Sequence, residues 1–98
     1  MTINKELNGT ELIVAIEGNL DTTTAPQLEK ELKDSLGNAQ SLVLDLKDLS
    51  YISSAGLRVV LYAQKTMSTK GGMKVKNLNE IVKEVFEVTG FSDILNIE

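Results

Sequence analysis

Two short apolar runs, Leu12 to Ile16 (LIVAI) and the LVL centred on Val43, constrain this chain more than any other feature. Each is shorter than a typical helix, bounded by polar residues, and the first is rich in β-branched side chains, so both read as buried strands, the second over Leu42 to Asp45. Asn8 and Gly9 precede the first run. That pair is a hairpin signal and makes Thr2 to Leu7 an antiparallel edge strand.

Between and after the two runs the period changes. Ala25, Leu28, Leu32 and Leu36 recur at three- and four-residue steps, with Glu29, Lys30, Lys33 and Asp34 on the other side. This is an amphipathic helix, with Thr24 and Gln27 as its start signal, Pro26 in its first turn and Gly37 as its stop. An apolar approach from Asp48 then breaks on Ser53, Ser54, Ala55 and Gly56, and Leu57 to Lys70 reads as a second helix with a wide apolar surface. Gly71 and Gly72 interrupt the chain before a short strand in MKVKNL. A third helix carries Ile81, Val82, Val85 and Phe86 on one stripe, with Asn79 as its cap and Gly90 as its terminator. The tail from Phe91 fits one helical turn or a last strand equally. The expectation is an α/β fold in one domain over residues 1–98, with a mixed, mostly parallel sheet of four to five strands, an N-terminal antiparallel edge strand, and three to four helices.

Composition removes several kinds of chemistry. The 98 residues contain no cysteine and no histidine, so neither a thiol nucleophile, a Ser-His-Asp triad nor a histidine metal site can be built. Asp21, Asp45 and Asp48 lie at strand ends or loops without the spacing of a catalytic pair, and capping explains them better. The SSAGLR stretch has one glycine and no following lysine, which matches neither a phosphate-binding loop nor a dinucleotide fingerprint. No enzymatic activity, cofactor or metal is expected. Ten basic residues, scattered against fourteen acidic ones, and 4% aromatics argue against nucleic acid. No apolar stretch approaches a membrane span, and the expectation is a soluble, cytosolic protein whose partner is another protein.

The break at Ser53 and Ser54 remains. A strand handing over to a helix leaves the backbone N–H groups of Ala55, Gly56 and Leu57 without intrahelical partners, and one serine can cap them. An exposed hydroxyl there can also be phosphorylated, which adds about −1.5 to −2 charges beside free donors and a positive dipole end. The fold would tolerate that charge, whereas a close-packed partner would not. Gly56 would leave the backbone open to an approaching protein.

Three blocks in order resemble the STAS domain of bacterial anti-sigma factor antagonists: GNLDTTTAPQLEKEL, LVLDLKDLSYISSAGLRVVL and EIVKEVFEVTGFSDILNI. The resemblance implies a STAS-like domain that works as a partner switch in transcription regulation. In its unphosphorylated form such a protein binds an anti-sigma factor that is also a serine kinase and so releases the sigma factor. Phosphorylation of a loop serine ends the binding, and a serine phosphatase restores it. Carried onto this chain, the acceptor is Ser54, with Ser53 the second choice, followed by Ala55 and Gly56. Ser53 stands where the family has an aspartate. The implied partner surface comprises Asp21, Thr22 and Thr23 together with Ser53, Ser54, Ala55, Gly56, Leu57 and Arg58. The alternative is a constitutive scaffold or adaptor subunit without a phosphoswitch.

Overall fold

The computed structural model describes residues 1–98. Its elements follow the order β1 (Thr2–Asn8), β2 (Glu11–Leu20), α1 (Ala25–Ser35), β3 (Ser41–Asp45), β4 (Leu49–Ile52), α2 (Ser54–Ser68), β5 (Met73–Lys76), α3 (Glu80–Val88) and β6 (Asn96–Ile97). Short 3-10 turns cover Leu36–Asn38 and Phe91–Asp93. The sheet runs β1-β2-β3-β5-β6, with β4 beside β2. Only β1 and β2 are antiparallel; every other pairing is parallel.

The α/β class, the mostly parallel sheet and the antiparallel first strand agree with the sequence, but there are six strands rather than four to five. The approach to Ser53 forms a strand of its own, β4, and the tail forms both of its alternatives, a 3-10 turn and then β6. Such short strands carry too few residues for a period to be visible. The hairpin turn is Gly9-Thr10, one residue later than expected, because the left-handed φ of +64° falls on Gly9 and Asn8 still pairs with Glu11. The second helix starts at Ser54 and ends at Ser68, so it begins three residues earlier than its apolar period.

On one face of the sheet, Leu12, Val14, Ile16, Leu42, Leu44, Met73 and Val75 meet the helices in a core cluster of 24 residues. No polar or charged residue is buried. Burial of apolar surface therefore holds the layers together, at roughly 25 cal/mol per Å² removed from water. Asn79 fastens α3: its side chain accepts from Val82 N at 2.8 Å and donates to the Leu49 carbonyl of β4 at 2.6 Å. Phe86 of α3 stacks with Phe91 at 6.1 Å between ring centroids, and Gly90, at φ +81°, makes the turn that brings them together.

The far end of α1 is closed by a charge. Gly37 does not stop the helix by a left-handed turn; the chain tightens into 3-10 geometry and ends at Ala39. The Lys70 ammonium donates to the carbonyls of Leu36 at 2.7 Å and Ala39 at 3.0 Å, binding the end of α2 to the end of α1. Lys70→Met keeps most of the aliphatic stem and removes those donors. We expect it to lower unfolding free energy by about 1–2 kcal/mol, measured by urea denaturation.

Candidate functional site

The serine turn owes its place to a change of partner along β2. The first part of β2 pairs with β3, and its last three residues pair with β4, with a register shift between Gly18 and Asn19. Gly18 has a φ of +102°, open to glycine and strained for other residues, and it makes this irregularity. Beyond it, the Ser53 N–H donates to the Leu20 carbonyl at 2.9 Å. That bond brings the Asp21–Thr24 turn and the Ser53–Arg58 segment to one end of the sheet.

The two serines divide the work. Ser53 has extended backbone at the N-cap position, and its hydroxyl oxygen accepts from Gly56 N at 3.4 Å. Ser54 is the first residue inside α2; it is exposed and its hydroxyl makes no hydrogen bond within the chain. Ser53 is therefore the cap, and Ser54 sits at the positive end of a helix of 15 residues. Arg58, one turn further on the same face, is exposed and forms no ion pair.

Gly56 and Leu57 face inward, which corrects their assignment to an open contact surface. A Cβ on Gly56 would lie 2.7 Å from Leu20 Cγ and 2.9 Å from Ile52 Cγ1. Glycine is there so that α2 can close on β2 and β4, and the backbone is shielded from a visiting protein. Leu57 is 8% exposed and belongs to the core.

Asp21 is occupied as well. Its Oδ1 accepts from Thr23 Oγ1 at 2.7 Å, Thr23 N at 2.9 Å and Thr24 N at 3.2 Å, while its carbonyl accepts from Ala25 N at 2.8 Å. Asp21 thus performs the capping expected of Thr24. Thr24 has helical backbone and makes no cap bond; its hydroxyl donates to the Asn19 carbonyl at 2.8 Å. The Thr23 hydroxyl, then the Thr23 N–H, hold the Asp21 carboxyl below the 3.8 of an ordinary aspartate.

Beside the serine turn, α1 and α2 leave a groove of about 380 Å³. Thr22, Ala25, Pro26 and Glu29 form one wall, and Ala55, Arg58, Val59 and Tyr62 the other. Lys33 reaches two of these lining residues: its Nζ lies 2.9 Å from Glu29 and 5.8 Å from the centre of the Tyr62 ring. The turn and the groove form one continuous surface. Of the residues singled out in the sequence, Thr22, Ala55 and Arg58 line the groove; Thr23 and Ser54 adjoin Thr22 and Ala55 in the chain but do not line it. Pro26, Glu29 and Tyr62 carry no such signal in the sequence, because the buried stripe of each helix does not show the cleft between the two. Tyr51, exposed on β4 three residues before Ser54, does not line the groove.

The STAS domain model matches residues 2–98. The chain belongs to the STAS domain family. The anti-sigma-B factor antagonist of Bacillus subtilis is 35% identical over 100 residues, covering 99% of this chain and 92% of that protein. An anti-sigma factor antagonist from Mycobacterium paratuberculosis superposes with a TM-score of 0.90 at 22% identity, covering 98% of this chain and 83% of that one. The anti-sigma factor antagonist SpoIIAA in its unphosphorylated form gives a TM-score of 0.84 at 17% identity, covering 99% and 88%. SpoIIAA in its phosphorylated form gives 0.76 at 17%, covering 99% and 91%. Together these likenesses show the STAS fold over the length of the chain.

Two measurements separate the structural residues from the exposed hydroxyl. In urea denaturation, Gly56→Ala should cost about 1–3 kcal/mol through overpacking, Ser53→Ala about 0.5–1 kcal/mol through the lost cap, and Ser54→Ala close to nothing. In an NMR titration, the Asp21 carboxyl should have its midpoint below 3.8. Because the folded pKa is depressed, its contribution to stability is present above the unfolded value and disappears as pH falls through the folded one.

Proposed function

We propose that this STAS domain is an anti-sigma factor antagonist whose binding is switched at Ser54. The observation that carries this reading is the division of labour at the turn. Ser53 meets the demands of the helix start, so the Ser54 hydroxyl is exposed and structurally uncommitted. Names of relatives such as the anti-sigma-B factor antagonist support the class of function, and SpoIIAA, known in both unphosphorylated and phosphorylated forms, supports the kind of control.

The partner in this reading is an anti-sigma factor that is itself a serine kinase. It docks on the serine turn and the groove, with Thr22, Thr23, Ala55 and Arg58 as its contacts and Pro26 and Tyr62 beside them. During modification the Ser54 Oγ attacks the γ-phosphorus of ATP. The new O–P bond replaces the bond to ADP, and the hydroxyl proton leaves. Phosphoserine at the first helical position adds about −1.5 to −2 charges, which the helix N-terminus and Arg58 accommodate within this domain. A partner packed over the same turn would have to strip water from that charge, so the complex separates while the antagonist stays folded. A phosphatase reverses the change. Ser53 cannot supply the negative charge that the family's aspartate would place next to the acceptor, and as the cap it is the poorer acceptor.

Incubation with the kinase and ATP, followed by mass spectrometry, should find phosphate on Ser54. Phosphate at neither Ser54 nor Ser53 would overturn the switch. Ser54→Ala should bind the anti-sigma factor as the wild type does, and Ser54→Asp should bind about tenfold more weakly or worse, measured by calorimetry. Equal binding by all three would replace the switch with a constitutive adaptor.

A further inference from the structure

The helices cover only one face of the sheet. The other face is bare, although three of its strand pairings, β2/β3, β3/β5 and β5/β6, are parallel. All-parallel sheets occur almost only where both faces are covered, and the parallel part of this mixed sheet lacks that cover. At the centre of the bare face lie Ile13 and Val43, direct neighbours across the β2/β3 ladder. Val43 is only 8% exposed yet stands outside the core cluster, shielded by its neighbours on the sheet.

One row of this face carries opposite charges at its two ends, with Glu11 and Glu17 of β2 and the neighbours Asp45 and Lys76 lying off it. One register row reads Glu6, Ile13, Val43 and Lys74, from β1 through β2 and β3 to β5. It places an acid at one end, a base at the other and two aliphatic residues between them. A two-fold axis running along the strands, at the seam of β2 and β3, exchanges the ends of this row. Glu6 then faces Lys74 of the second copy, Ile13 faces its Val43, and each contact occurs twice. The same operation keeps the strands of the two sheets aligned, the arrangement in which sheets pack face to face about 10 Å apart.

We propose that this bare face pairs with the same face of a second copy of the chain. The row is self-complementary under one axis direction and self-repelling under the perpendicular one, which fixes the geometry of the pair. Lys74 already lies 3.4 Å from Glu98, but both side chains are about half exposed, so that surface pair competes weakly. Asp45 beside Lys76 is held within its own chain by Asn77 Nδ2 at 2.9 Å and Lys47 N at 3.1 Å. Four strands five residues long present roughly 300 Å² of flat sheet, well below the roughly 800 Å² per partner of a stable interface. The dimer is therefore weak and dependent on concentration. None of these residues belongs to the serine turn, so each copy keeps its own turn and groove free.

Sedimentation equilibrium of the full chain over increasing concentration should show a monomer–dimer equilibrium that weakens with salt. Glu6→Lys and Lys74→Glu should each weaken self-association by about tenfold or more, since attraction becomes repulsion at both ends of the row. An equimolar mixture of the two variants should recover association, because the crossed pairs are again opposite in sign. As a check that needs no variant, concentration-dependent NMR shifts in the wild type should centre on Ile13 and Val43. A chain that stays monomeric at about 1 mM, or a dimer whose shifts centre elsewhere and which both variants leave intact, would overturn the proposal.

Discussion

The change of partner along β2 is the constraint on which the rest of the molecule depends. Within its ten residues, β2 pairs with β1 over Glu11–Glu17, with β3 over Glu11–Ala15 and with β4 over Gly18–Leu20. Gly18 makes that possible by adopting a left-handed φ at the point where the register shifts. Without the shift, β4 would have no edge to join, and the Leu20 carbonyl would not meet Ser53. The serine turn, the Asp21 turn and the first contact between α1 and α2 all follow from this one irregularity in a strand.

Much of this architecture was legible in the sequence because the core is purely apolar. Where no whole polar residue is buried, hydrophobic periodicity and burial coincide, and the stripes on α1, α2 and α3 point to the same side of the sheet. The caps at Asn79 and Gly90 were legible for a related reason: each acts through backbone groups within three residues of itself. The rest depended on which of several competing contacts each group makes, some local and some between distant segments. Thr24 looked like a cap, yet the nearby Asn19 carbonyl claims its hydroxyl and Asp21 caps instead. β4 and β6 are strands only because β2 and β5 offer them an edge. Gly56 looked like an open approach, and its meaning reversed once Leu20 and Ile52 were placed against it.

The candidate site shows the same boundary. The pattern placed the serines at a strand-to-helix break, and chemistry alone required one of them to be a cap, but only the backbone geometry shows that the cap is Ser53. The groove was invisible, because a cleft between two helices is a property of their spacing and not of either stripe. Its walls mix small residues, one arginine and one glutamate, a composition that resembles ordinary helix surface when each helix is considered alone.

Ser54 lies within the first turn of a helix, and this limits how any enzyme that modified it could reach the hydroxyl. A residue whose neighbours on the C-terminal side are already coiled cannot be threaded through a cleft shaped for an extended peptide. Either the turn unwinds, which would expose Leu57 and open the seam around Gly56, or the enzyme receives the domain whole. The second route needs no loss of packing. The recognised object is then a shape, spread over residues far apart in the chain, and a short peptide carrying the same serine would lack nearly all of it.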